Sequence, residues 1–159
     1  MKTLAKLLTA ICVATFTLSS VTFGQEARIP VYPAGSSPIA PYSPGIKLSN
    51  GILFVSGQIA YVNGEIPEEA RNDISAQTKI VMENLRTVLN EAGYDFDDAV
   101  RATVYLTDMD NYGAFNKVYG TYWGEGKTPP SRVAVEVVKL PGSKPGAPTM
   151  VEVSMVAVK

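Results

Sequence analysis

Two consecutive prolines, Pro129 and Pro130, stand one residue before a largely apolar run at residues 132–138. Neither proline has a backbone N–H, and both disfavour a preceding helix, so the chain must enter this run in an extended conformation. The run is rich in β-branched residues, which favour strands. It therefore predicts a β-strand with Arg132 at its start, where a fixed guanidinium can bind a carboxylate through two hydrogen bonds.

The 159-residue chain contains no histidine. Histidine is the commonest general base and a frequent metal ligand, so other residues must fill either role here. The single cysteine, Cys12, lies near the N-terminus. We therefore expect no metal site, and any catalysis must use arginine, glutamate, tyrosine, backbone groups and water.

The first 24 residues have the pattern of a secretory signal peptide. Residues 1–6 carry two lysines, residues 7–21 form an uncharged apolar run, and small residues precede Gln25. The pattern predicts cleavage after Gly24 and export to the periplasm or the medium. The alternative is a retained membrane anchor, for which the apolar run is short.

Cleavage would remove two of the 14 basic residues and none of the 15 acidic ones, which leaves a net charge of about −3. It would also remove Cys12, so the mature chain could form no disulfide. A mildly acidic domain without a basic stripe does not favour nucleic acid as a partner. No membrane association is expected after cleavage.

The remaining chain predicts one domain at residues 46–159, preceded by a proline-rich segment at residues 25–45 that should run extended over the surface. Strands at residues 46–48 and 51–59 should meet at Asn50-Gly51, a strong hairpin signal.

Helical periodicity predicts a helix that Asp73 caps and that ends near Ala92 and Gly93. A strand at residues 99–107 and a second helix, capped by Asp110, should follow. The last strands are at residues 132–138 and 150–158, so the order is β-β-α-β-α-β-β, typical of an α+β fold. The first helix should bury one face, formed by Ile74, Gln77, Val81, Leu85, Val88 and Leu89.

The second predicted helix carries aromatic and apolar side chains at positions i, i+3, i+4 and i+7. Such a stripe could line a cofactor site, but at helical spacing it is typical of a core-facing side. We interpret it as core. Its members are Phe115, Val118, Tyr119 and Tyr122.

Glu152 lies in the apolar last strand, where a carboxylate is costly to bury without a partner or a function. One interpretation is a glutamate on an edge strand that points into water. The other places Glu152 near Arg132 across the sheet, where it would hold a water molecule for attack on a substrate that the arginine binds.

From about Ala40 to Val158 the chain resembles the RidA family of reactive imine and enamine deaminases. The resemblance rests on five blocks in family order: Ala40-Pro41-Tyr42-Ser43-Pro44-Gly45, Val55-Ser56-Gly57-Gln58-Ile59, Phe115-Asn116-Lys117-Val118-Tyr119, Pro130-Ser131-Arg132-Val133 and Val151-Glu152-Val153. It implies a chorismate-mutase-like α+β sandwich, with a mixed sheet, two helices on one face, and a homotrimer whose sites lie in clefts between subunits.

The resemblance also implies roles for single residues. Arg132 matches the arginine that binds the substrate carboxylate, and Glu152 the glutamate associated with the hydrolytic water. Tyr42 matches a tyrosine that closes over the ligand, Gly57 a glycine whose backbone approaches it, and Asn116 an asparagine near the cleft. Alternatively, Tyr42 anchors the proline-rich segment, Gly57 is a bulge glycine, and Asn116 is structural.

The implied activity is hydrolysis of 2-imino or enamine acids to 2-oxo acids and ammonia, with no cofactor. The alternative is a non-catalytic trimer that binds small carboxylates or partner proteins in the same cleft. RNA cleavage, also linked to the family, fits an acidic chain without histidine poorly.

Two features depart from the family: Ala134 stands where many members have cysteine, and the loop at residues 141–149 is longer than usual.

Overall fold

The structure, a computed structural model, describes residues 27–36 and 40–159. These residues form six strands and two α-helices, with short 3-10 turns between several of them. The elements in chain order are β1 (Arg28–Val31), β2 (Gly45–Leu48), β3 (Ile52–Gln58), α1 (Ile74–Glu91), β4 (Ala99–Leu106), α2 (Tyr112–Tyr119), β5 (Ser131–Glu136) and β6 (Val151–Val158).

The predicted order of helices and strands is confirmed, with one further strand at its beginning. Strand β1 lies in the proline-rich segment and pairs antiparallel with β2. Pro30 is tolerated there because β1 is the edge of the sheet and needs hydrogen bonds on one side only. The predicted signal peptide, residues 1–24, lies outside the described residues. None of the helices that the structure describes is long and apolar enough to cross a membrane.

The strands form one mixed sheet in the order β1-β2-β3-β6-β4-β5. Only β4 and β5 run parallel, joined by a crossover through α2, and the other neighbours are antiparallel. The last strand was expected to lie beside the strand of Arg132, and this is wrong, because β4 lies between them. Periodicity predicts strands but not which strands become neighbours.

Both helices cover the same face of the sheet and form the core with it. On β6 the residues facing the helices, Val151, Val153, Met155 and Ala157, are all buried. The predicted buried face of α1 is confirmed at every one of its positions, including Gln77. Asp73 caps α1 by accepting hydrogen bonds from the N–H groups of Ser75 and Ala76, at 2.8 and 3.1 Å.

The start of α2 differs from the prediction. Asp110 was expected to cap the helix, but it lies inside a 3-10 turn at Met109–Asn111. Asp108 caps that turn by accepting a hydrogen bond from the Asp110 N–H at 2.8 Å. The first helical turn therefore begins two residues earlier than expected, and α2 itself has no side-chain cap.

The other face of the sheet carries no helix. Strand alternation places Phe54, Val133 and Val135 on it, and they are 47%, 39% and 39% exposed. Their partners in neighbouring strands are Val156, Thr103 and Tyr105. The structure therefore presents an apolar sheet surface, here called the open face, on the side opposite the helices.

Candidate functional site

Arg132 is the second residue of β5 and points to the helix-covered face, since its partner in β4 is the fully buried Ala102. Its guanidinium lies over α2. One nitrogen, Nη2, donates to Tyr112 Oη at 2.9 Å and to Asn116 Oδ1 at 2.7 Å. Tyr112 and Asn116 are one helical turn apart, so a single face of α2 positions the arginine.

Three aromatic rings of α2 surround the same guanidinium. Its central carbon lies 4.6 Å from the ring centre of Tyr119, 5.4 Å from Phe115 and 5.5 Å from Tyr112. Contacts of this kind each contribute about 0.5–2 kcal/mol. Phe115 and Tyr119 are buried, so their interpretation as core is confirmed, and the same rings also hold the arginine. The other two residues of the predicted stripe, Val118 and Tyr122, are only half-buried, and Tyr122 lies in a 3-10 turn after α2.

An open cleft passes over Arg132. Among the described residues no carboxylate forms an ion pair with Arg132, although three other pairs occur in that part of the chain. Both hydrogens of Nη2 are used, while those on Nη1 and Nε remain for a ligand. The cleft is therefore suited to an anion, and it is lined by Tyr112, Asn116, Tyr119, Gly120, Pro129, Pro130, Arg132 and Ala134.

The two tyrosines beside Arg132 differ in acidity. The hydrogen bond with Asn116, and then the charge of Arg132, lower the pKa of Tyr112. Burial raises the pKa of Tyr119 to about 12, against the opposing effect of Arg132. Tyr112 is therefore the tyrosine that can ionise in this cleft, and Tyr119 stays protonated. Sequence reasoning missed Tyr112, although its spacing of four residues from Asn116 was a usable signal.

Glu152 lies on β6, which has a neighbour on each side, so its interpretation as an edge-strand residue is wrong. The side chain is half-buried, and this burial raises the pKa of its carboxyl group. The carboxylate occupies the space beside Gly57, where an added Cβ would lie 2.7 Å from Glu152 Cδ and closer still to Oε1. The structure thus brings Gly57 and Glu152 into direct contact.

Gly57 lies in an irregular stretch of β3, where the pairing with β6 shifts between Val55 and Gln58. The interpretation of Gly57 as a bulge glycine is therefore confirmed, while its approach to a ligand stays a prediction. Ser56 binds the preceding segment: its N–H donates to Pro44 O at 2.9 Å and its hydroxyl to Ser43 O at 2.7 Å.

These bonds hold the chain next to Tyr42 against the strand that carries Gly57. The Tyr42 side chain is 46% exposed. The hydroxyl of another tyrosine, Tyr32, contacts this segment, because Tyr32 Oη lies 3.1 Å from Ser43 Oγ. Tyr42 is thus left on the surface, next in the chain to the residues that Ser56 binds.

Within one chain, the predicted residues form two separate groups. Arg132 and Asn116 lie on the helix-covered face. Glu152 pairs with Tyr105, whose other neighbour is Val135, and so points to the open face. The expectation that Glu152 approaches Arg132 across the sheet is therefore wrong for a single chain, because alternation along the strands places them on opposite faces.

A model of the family described as Endoribonuclease L-PSP matches residues 34–159. A RutC family protein of Pyrococcus horikoshii is 42% identical over 122 residues, which cover 77% of this chain and 90% of that protein. A RutC family protein of Pyrococcus abyssi is 48% identical over 104 residues, covering 65% of this chain and 79% of that protein.

Solved structures agree with these sequence matches. The Rid family protein YyfA of Yersinia pestis has a TM-score of 0.73 at 34% identity, and the match covers 84% of this chain and all of that one. TdcF of E. coli, solved with bound serine, has a TM-score of 0.71 at 29% identity, with 82% and 98% covered. The α+β fold, the mixed sheet and the sequence matches together show that this chain belongs to the RidA family, whose family model is described as Endoribonuclease L-PSP.

Proposed function

We propose that this protein hydrolyses reactive 2-imino and enamine acids to 2-oxo acids and ammonia. The observation that carries the proposal is the Arg132 guanidinium, which α2 holds in an open cleft with no carboxylate partner among the described residues. Such a group is suited to the carboxylate of a small acid. The serine bound in the TdcF structure also carries a carboxylate, which agrees with this class of ligand.

The substrate carboxylate has to compete for Arg132. Both two-bond arrangements of a guanidinium with a carboxylate use Nη2, and this nitrogen already donates to Tyr112 and Asn116. Asn116 is half-buried and its bond is shorter, whereas Tyr112 is exposed. We infer that the Tyr112 hydroxyl gives up its place when the substrate binds, while Asn116 keeps the guanidinium in position.

Glu152 supplies the base in this proposal. Its raised pKa makes it a better proton acceptor than an exposed glutamate, and its carboxylate lies against the Gly57 backbone. It takes a proton from a water molecule as the water oxygen bonds to the imine carbon. Glu152 then gives this proton to the nitrogen of the carbinolamine. As the C–N bond breaks, ammonia leaves and the hydroxyl proton passes to Glu152, which leaves the 2-oxo acid. Positioning supplies much of the rate, and no cofactor takes part.

The two groups become one site if chains assemble. Arg132 and Glu152 lie on opposite faces of one sheet, so a site with both residues needs two copies. The open face, with exposed Phe54, Val133 and Val135, is an apolar surface of the kind that oligomer contacts bury. We infer a homotrimer in which the Arg132 cleft of one copy meets Gly57, Glu152 and Tyr42 of the next.

We further place this reaction outside the cytosol, on the strength of the signal-peptide pattern in residues 1–24. Small imino acids are the proposed partners. RNA is not, because a chain of net negative charge without histidine offers neither a phosphate-binding surface nor the usual acid–base residue.

The test is turnover of an imine generated in place. An amino-acid oxidase produces 2-iminopropionate or 2-iminobutanoate, and semicarbazide traps the imine that remains. Wild-type protein should remove imine faster than the uncatalysed reaction, and Arg132→Ala should not. Lys139→Ala is the control, because Lys139 is exposed and belongs neither to the Arg132 group nor to the Glu152 group. This variant should remove imine as fast as wild type. If folded wild type gives no acceleration but binds 2-oxobutanoate through Arg132, the protein is a carboxylate-binding protein and the deaminase proposal fails.

A further inference from the structure

A second cleft lies away from Arg132 and shares no lining residue with its cleft. It encloses about 240 Å³ between the connection from β3 to α1 and the long loop at residues 141–149. The resemblance to the family predicts that this loop is longer than usual. The cleft is not part of the site described above.

Two tight turns form its walls, and each is closed by a reciprocal pair of backbone hydrogen bonds. In the first turn, Val62 and Glu65 bond at 2.9 and 3.2 Å, with Asn63 and Gly64 in the left-handed conformation that such a turn requires. The second turn joins Lys144 and Ala147 at 3.2 and 3.0 Å. Each wall is thus held by its own backbone hydrogen bonds.

Buried contacts hold the two walls at a constant separation. Fully buried Gln77 donates to Ala70 O at 3.1 Å and to Pro148 O at 2.8 Å, and its Oε1 accepts from the Met150 N–H at 2.9 Å. Across the mouth, Tyr61 donates to Gly142 O at 3.1 Å. The cleft is therefore built into the fold, which lowers the entropy cost of binding a ligand there.

The charged groups of the cleft are unpaired. Arg71 and Lys144 line it, and neither forms an ion pair within the part of the chain that the structure describes. The Nε atom of Arg71 is buried and has no hydrogen-bond partner. The positive charges of Arg71 and Lys144 are therefore not neutralised by a neighbouring carboxylate and remain for an anion in the cleft.

We propose that this cleft binds a small monocarboxylate anion. Arg71 and Lys144 face its carboxylate, while Ile66, Pro145 and Ala147 offer apolar surface to a short carbon chain. Glu65 also lines the cleft and leaves it with one net positive charge. That carboxylate repels a second negative charge, so dicarboxylates and phosphate bind more weakly than a monocarboxylate of similar size.

The test is an NMR titration of the purified protein carrying Arg132→Ala, which removes the first anion site. Butyrate should cause saturable shifts in the amides of residues 62–66 and 142–147. Adding Arg71→Gln should weaken this binding at least about tenfold, the effect expected from losing a charged hydrogen-bond donor. Lys144→Gln, in an exposed turn that tolerates the change, should weaken it by a smaller factor.

Lys139→Gln is the matched control, since Lys139 is exposed in the same connection but does not line the cleft. It should leave butyrate binding unchanged. The proposal is overturned if butyrate shifts no amide of the cleft, or if both Arg71→Gln and Lys144→Gln bind it as well as their parent. It is equally overturned if succinate or phosphate binds there more tightly than butyrate.

Discussion

Arg132 owes its position to α2 as much as to its own strand. The strand supplies the start of an extended run after two prolines, and α2 supplies two hydrogen bonds and three ring faces. Glu152 is held differently, by half-burial in the central strand β6 and by the space left at Gly57. At the residue scale the proposed site is therefore two preformed halves, each with its own means of support.

Ionisation of Tyr112 should weaken substrate binding at alkaline pH. Its pKa is lowered, so it ionises before an ordinary tyrosine, and a phenolate paired with Arg132 excludes the substrate carboxylate. We expect KM to rise as pH increases through that pKa, and Tyr112→Phe to abolish the rise. Tyr119→Phe is the control, because Tyr119, with a pKa of about 12, stays protonated. A rise that persists in Tyr112→Phe would contradict this role.

Gly57→Ala should displace Glu152 without unfolding the chain. The three atoms nearest to the new Cβ all belong to the flexible side chain of Glu152, which can move away. Because the carboxylate then leaves its position, we expect kcat/KM to fall about tenfold to hundredfold, with a nearly unchanged unfolding temperature. Gly124→Ala, where a Cβ meets nothing within 4 Å, should keep full activity. Equal activity of the two variants would exclude the proposed contact.

Glu152→Gln should separate activity from stability. We expect activity to fall at least about hundredfold, as for other lost general bases. Because the carboxyl pKa is raised on folding, the folded chain holds this proton more tightly than the unfolded one. The charged carboxylate therefore lowers the free energy of unfolding. This loss disappears as pH drops through the folded pKa, where the group becomes protonated. The free energy of unfolding, measured against pH, should show this dependence in wild type and lose it in the variant.

At the scale of elements, helix ends and strand order decide what the sequence can and cannot predict. The 3.6-residue period and Asp73 were enough to predict α1 and its buried face, because both signals are local. Strand β1 was missed because its proline suggested an unpaired segment. The insertion of β4 between β5 and β6 could not be predicted, because strand order depends on contacts between distant parts of the chain.

The candidate site, too, could be predicted from sequence only where the signal was local. The residues of the proposed halves, Arg132 and Glu152, could be identified from sequence. Their separation in one chain did not follow, because it depends on the sheet order. Tyr112 was missed because its role arises from packing of α2 on β5.

The two aspartates proposed as helix caps provide a matched test at this scale. Asp73→Ala should lower the free energy of unfolding by about 1 kcal/mol, since two N–H groups of α1 lose their acceptor. Asp110→Ala should change it by less than about 0.5 kcal/mol, because that side chain caps no helix. Chemical denaturation measures both, and an equal loss in the two variants would contradict the assigned start of α2.

At the scale of the whole molecule, one sheet serves two purposes. Its covered face buries the core and, at one end, positions Arg132, while its open face presents Glu152 among exposed apolar residues. A single copy therefore cannot use Arg132 and Glu152 together. Assembly through the open face would bury the apolar residues and unite the two halves in the same step, which is the central claim of the proposed function.

Mixed assemblies test that claim most directly. Arg132→Ala and Glu152→Gln should each be inactive alone. After equal amounts are unfolded together and reassembled, roughly a quarter of the sites in a cyclic trimer should combine an intact Arg132 with an intact Glu152 from the next copy. We predict recovery of that fraction of wild-type imine turnover. Mixed trimers, verified by sedimentation, that stay as inactive as their parents would show that the two residues do not form a shared site.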